Sequence, residues 1–204
     1  MASTISAGTT TGTALNFTGD TSGNLAFQTQ AGANTITVPN ETGTIITTKT
    51  AGTVLQVQST TLTSTFTSAT GNSWVDITGL SVSITPKFST SKILVSFSVS
   101  GTIFRPAVNA VTLKCLRGST AIGIGDASGS VLQISASSGV ASNDSMQTCA
   151  WQYLDSPATT SSTTYKLQIY QDTPANPFYI NRTTADSNNA GRSVSTITVM
   201  EIAA

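Results

Sequence analysis

The sequence predicts an all-β protein: a short N-terminal β-repeat arm or intertwined shaft, followed by an antiparallel β-sandwich of jelly-roll type. Three observations carry this expectation. About a third of the residues are Ser or Thr, only 9% are charged, and there is no histidine. Apolar residues alternate with hydroxyls, as in Val95-Ser96-Phe97-Ser98-Val99-Ser100, a period that puts hydrocarbon on one face of a strand and hydroxyls on the other. Turn residues punctuate the chain at short intervals, and no segment has helical periodicity.

Composition bounds the function. At 204 residues the chain has room for one large domain, or one domain and an appendage. Hydrophobic residues make up 38%. High polarity without charge suits exposed strands carrying β-branched Thr. The net charge is +0, so no basic stripe tracks a phosphate backbone and nucleic acid is not expected as a partner. There is no apolar run of about 18 residues, so no membrane insertion is expected. Met1-Ala2-Ser3-Thr4-Ile5-Ser6 lacks the basic and apolar regions of a secretory signal. An outward-facing surface without an export signal fits release by lysis, within a virus particle.

Residues 1–50 carry a rough repeat of short strands. Leu15-Asn16-Phe17, Leu25-Ala26-Phe27, Ile36-Thr37-Val38 and Ile45-Ile46 are separated by Gly/Asn turns. One such unit cannot bury its apolar pair alone. Three copies about a common axis would pack Leu15, Phe17, Leu25, Phe27, Ile36, Val38 and Ile45 as a thin shaft. The alternative is an extended arm lying on the C-terminal domain.

Residues 51–204 read as one β-sandwich knob, with strands expected at 54–66, 73–77, 80–85, 91–101, 110–117, 120–124, 130–135, 146–155, 163–171, 177–182 and 194–202. Ile93/Val95/Phe97/Val99 and Tyr165/Leu167/Ile169 alternate most clearly and should lie deepest. Two strands are apolar on both faces. Met146, Ala150 and Leu154 oppose Cys149, Trp151 and Tyr153, and Ile197 and Val199 oppose Met200 and Ile202. A second burial, against another copy of the chain, would account for the extra face.

Chemistry is sparse. Without histidine no Ser-His-Asp triad exists, no lysine sits in a Ser-x-x-Lys pattern inside a helix, and the carboxylates fall mostly in turns. An enzyme is not expected, nor a cofactor, nor a metal site. Gly123-Ile124-Gly125-Asp126 lacks the third glycine and the following helix of a dinucleotide loop, and reads as a turn. Cys115 and Cys149 sit at apolar strand positions, as two small buried hydrophobes. Asn16, Asn40, Asn143 and Asn181 open glycosylation triplets of a kind that chance supplies in so Thr-rich a chain. The loops most like a contact surface hold Phe104 and Arg105, and Phe178, Tyr179, Asn181 and Arg182, where aromatics beside Arg and Asn suit sugar or protein. Phe178 and Tyr179 would alternatively begin a strand and pack inward.

The series Leu25-Ala26-Phe27, then Ile36-Thr37-Val38-Pro39-Asn40-Glu41-Thr42-Gly43-Thr44, then the tracts Ser91–Gly101, Tyr153–Pro157 and Thr164–Ile169, resembles bacteriophage tail-fibre and head-fibre structural proteins. The resemblance implies a homotrimer on the virion surface, assembled in the host cytoplasm and released by lysis. Its N-terminal segment would attach to other virion proteins. Its knob, similar in outline to the C1q/TNF jelly roll, would face outward toward host-surface glycan or protein. A capsid-mounted head fibre or decoration protein is the nearest alternative. A cellular lectin-like carbohydrate-binding module is the alternative of another class.

Overall fold

The computed structural model describes residues 25–28, 35–38, 50–103, 110–139, 145–171 and 177–204. The chain divides into two compact units, Met1–Ile46 and Thr47–Ala204. In the first, β1 (Leu25–Gln28) and β2 (Thr35–Val38) pair antiparallel, with Leu25 opposite Val38 and Phe27 opposite Ile36. Leu15, Phe17 and Ile45 lie outside the described residues.

The second unit is two antiparallel sheets. The first sheet runs β3 (Val54–Leu62), β13 (Ser195–Ile202), β6 (Lys92–Ile103) and β10 (Gln147–Asp155). The short β12 (Phe178–Ile180) and β4 (Phe66–Ser68) continue it beyond the end of β13. The second sheet runs β5 (Ser73–Ile84), β11 (Thr163–Gln171) and β7 (Ala110–Arg117). Along β7's far edge, β8 (Thr120–Ile122) and β9 (Ala136–Gly139) lie end to end. Successive long strands cross from one sheet to the other, and the first, β3, lies beside the last, β13. This is a jelly-roll-like order.

The core sits between the sheets. Ile93, Val95 and Val99 of β6 and Tyr165, Leu167 and Ile169 of β11 are fully buried, and Phe97 nearly so. Both strands are central in their sheets, so strict alternation is what their positions demand. Hydroxyl pairs Ser59–Thr198, Ser83–Thr164 and Ser100–Thr148 link neighbouring strands on the outer faces.

Three elements depart from expectation. The strand expected at 54–66 is broken into β3 and β4. The side-chain Nδ2 of Asn181 donates to the carbonyls of Leu62 and Ser64, replacing the ladder where the chain bends. The strands expected at 73–77 and 80–85 form one, β5, with a bulge. Asp76 opposes Gln168 and Ser81 opposes Lys166, leaving residues 77–80 against Leu167. Gly79 takes φ +86° there, with Leu62 Cδ1 only 2.9 Å from where a Cβ would stand. The bulge lets Ile77 and Leu80, three apart, both face inward. The strand expected at 130–135 is instead a loop. It is turned by the Val131 N–H bond to Ser128 and braced by Gln133 Nε2 on the Gly125 carbonyl. The strand beside it is β9, whose Ala-Ser-Ser-Gly has no apolar alternation to announce it.

The chain enters and leaves this unit at one place. Gly52 N donates to the Ala203 carbonyl at 2.8 Å, and Ala203 N to the Thr53 carbonyl at 2.9 Å.

Candidate functional site: the outer sheet faces

Any chemistry would start from the buried polar groups. Asp155, at the end of β10, accepts from Arg117 Nη1 at 2.8 and 2.9 Å and from the Tyr165 hydroxyl at 2.7 Å. Burial, then the bond to Asp155, push the Tyr165 phenol well above its usual range. Glu201, on β13, is fully buried. Its Oε2 accepts from Gln56 Nε2 at 2.6 Å, and its Oε1 from Ser91 Oγ and Lys87 N at 2.7 Å and from Phe88 N at 3.4 Å. Burial alone would raise its pKa. The bonds from Gln56, Ser91 and the two backbone N–H groups outweigh that and hold the carboxyl below its ordinary value. Both clusters are closed networks of donors and acceptors that join loops and sheets. Among the described residues no group of three His, Cys, Asp or Glu is placed to hold a metal ion.

Cys115 and Cys149 are free and buried. Burial, with the charge of Asp155 behind it, pushes the Cys115 thiol up to about 12, and burial pushes Cys149 up to about 11. Thiolate is the reactive form, so neither cysteine is expected to react with a disulfide reagent at pH 8 in the folded protein. Both should titrate once guanidinium unfolds it.

Two of the residues expected to form a contact loop belong to the interior. Phe178 is fully buried in β12 and Asn181 is fully buried beyond it. Ser195 Oγ donates to Asn181 Oδ1 at 2.7 Å while the Asn181 amide holds Leu62 and Ser64. Asn181 is therefore a structural bridge and no contact or glycan-acceptor side chain. Tyr179 and Arg182 are half-buried, with the Arg182 guanidinium carbon 4.3 Å from the Tyr179 ring centroid. Arg182 and Arg192 both pair with Asp186, whose carboxyl the Arg192 bond holds below its usual range. Phe104 and Arg105 lie outside the described residues, as do Asn16, Asn40 and Asn143.

The two outer sheet faces differ. On the first sheet, register places Leu154, Leu94, Met200 and Val57 in one row across β10, β6, β13 and β3. Ile202 and Val54 are paired at one end of the same face. Leu154 is 52% exposed, and Val57 and Val54 are each 50%. The neighbouring row is Gln152, Ser96, Thr198 and Ser59. A continuous apolar row on one outer face, beside rows of hydroxyls, is more than the scattered apolar exposure of an ordinary surface.

On the second sheet, Trp74 of β5 and Tyr170 of β11 are cross-strand partners, with ring centroids 5.3 Å apart. Lys114 of β7 sets its Nζ 3.8 Å from the Trp74 centroid. Desolvation there lowers the lysine pKa. One register step along, Asp76 accepts from Lys166 Nζ at 2.7 Å and from Gln168 Nε2 at 2.8 Å. The Lys166 bond, aided by Gln168, holds its carboxyl below the usual range against desolvation. Residues 74 and 76, residue 114, and residues 166, 168 and 170 come from three segments far apart in sequence and meet only through the β5–β11–β7 register. No protein-family model matches the chain, and no curated protein matches it.

Proposed function

We propose that this chain is a non-enzymatic virion structural protein, a trimeric bacteriophage fibre. Residues 1–50 would serve as its attachment or shaft segment and residues 51–204 as its knob. The observation that carries the reading is the apolar row on the outer face of the first sheet. Leu154, Leu94, Met200 and Val57 span that sheet from edge to edge, and a face of this kind is removed from water when two further copies of the chain pack around a shared axis, at no cost in charge desolvation. Low charge and closed polar networks suit a particle that persists outside a cell. Three identical knobs on one axis would multiply weak single contacts with a repetitive host surface.

Native mass spectrometry of the full chain at micromolar concentration tests this. A species of three times the 20.9 kDa chain mass is expected. Leu94→Lys with Met200→Lys should shift it to monomer with unchanged far-UV circular dichroism. A wild-type monomer would remove the fibre reading.

A further inference from the structure

We propose that the outer face of the second sheet, centred on Trp74, Tyr170 and Lys114, binds a carboxylate-bearing sugar. The proposal rests on the reading above for its purpose, contact with a host surface, but the binding itself needs only one chain.

Hydroxyls hold outward positions at Ser81, Ser83, Thr112 and Thr164, Leu116 lies on the same face opposite Lys166, and the core beneath is closed by Ile169, Leu167 and Leu113. Two large aromatic rings are nonetheless set here as cross-strand partners, half-buried and inclined at 54°. Aromatic faces take up the C–H side of a pyranose ring, and the polar tips of Trp and Tyr remain available to its hydroxyls.

The polar surroundings suit the rest of such a ligand. Asp76 is pinned by Lys166 and Gln168, so its carboxylate is ordered before a ligand arrives, while its side chain stays 50% exposed. An ordered carboxylate beside a primary amide is a matched pair for vicinal hydroxyls.

Charge selects the class. Lys166 is neutralised by Asp76. Lys114 has no carboxylate within ion-pair distance among the described residues, and its ammonium rests on the Trp74 ring. Among the described residues the face therefore holds one uncompensated positive charge, seated over the Trp74 ring. An acidic sugar stacked on the rings would bring its carboxylate to that ammonium, and a neutral sugar would leave it unanswered.

The test is an array of uronate- and sialate-bearing oligosaccharides with their neutral counterparts, probed with the full-length protein, followed by calorimetric titration of the strongest binder. Saturable binding to acidic members is expected, at least tenfold tighter than to the matched neutral sugar. Lys114→Gln should weaken it tenfold or more, with an unchanged melting temperature. Trp74→Ala should abolish it. No acidic sugar bound, equal binding of acidic and neutral sugars, or full affinity in Lys114→Gln would each overturn the proposal. These readouts do not depend on the oligomer mass, so a trimer that binds no sugar and a monomer that does are separate results.

Discussion

Asp155→Ala is expected to lower the unfolding free energy by about 3 kcal/mol, read from the urea midpoint at unchanged m-value. Asp155 is 5% exposed and its carboxylate is the meeting point of both sheets: it sits on β10, and its donors sit on β7 and β11. Removing it leaves the Tyr165 hydroxyl buried without an acceptor and Arg117 Nη1 without its carboxylate. Arg117 is 29% exposed at its side chain, so water recovers part of its loss, which keeps the cost at the lower end of the range for breaking a buried pair. The double variant Asp155→Leu with Arg117→Met should regain much of the stability, because it removes charge and countercharge together. If the double variant is as unstable as the sum of the singles, the pair is not the cause.

Glu201→Gln should cost about 2–3 kcal/mol at pH 7 and alter the response to acid. Four donors converge on this carboxylate, and an amide in its place brings N–H against N–H on one side. Since the folded-state pKa is held below the ordinary 4.5, the unfolded chain binds the proton more readily than the folded one. The glutamate's contribution is therefore fully present above pH 4.5 and is lost as pH falls through the lower folded value. The stability gap between wild type and Glu201→Gln should narrow on acidification. A gap independent of pH from 7 to 3 would refute the assignment of the charged form to the folded state.

The fold was largely legible because its central strands are buried on one face only. Alternation in Ile93/Val95/Phe97/Val99 and in Tyr165/Leu167/Ile169 reports that condition directly. β9 was not legible, since its neighbours hold it through backbone bonds and its own side chains carry no pattern. The bulge in β5 was visible as Thr78-Gly79 but read as a break, because a glycine between two apolar runs signals either event. Asn181, expected in a contact loop with Tyr179 and Arg182, is buried for a physical reason. An Asn beside aromatics and Arg suits a contact loop, and only the bend of β3 into β4 shows why an amide is buried there. Glu201 left a signal in its parity, which matches that of Ile197 and Val199 and so places a carboxylate at an inward position. The aromatic and lysine cluster on the second sheet left none. Trp74, Lys114 and Tyr170 are brought together by strand order, which spacing along the chain does not encode.

The entry strand β3 and the exit strand β13 are zipped along nearly their whole length, and the chain comes in beside the point where it goes out. A pull on Gly52 along the strand axis, resisted at the far end of the sheet, loads that ladder in shear and shares the force among many bonds, whereas a pull between Gly52 and Ala203 would peel them singly. The direction of the load, and not the number of bonds, decides whether this ladder holds.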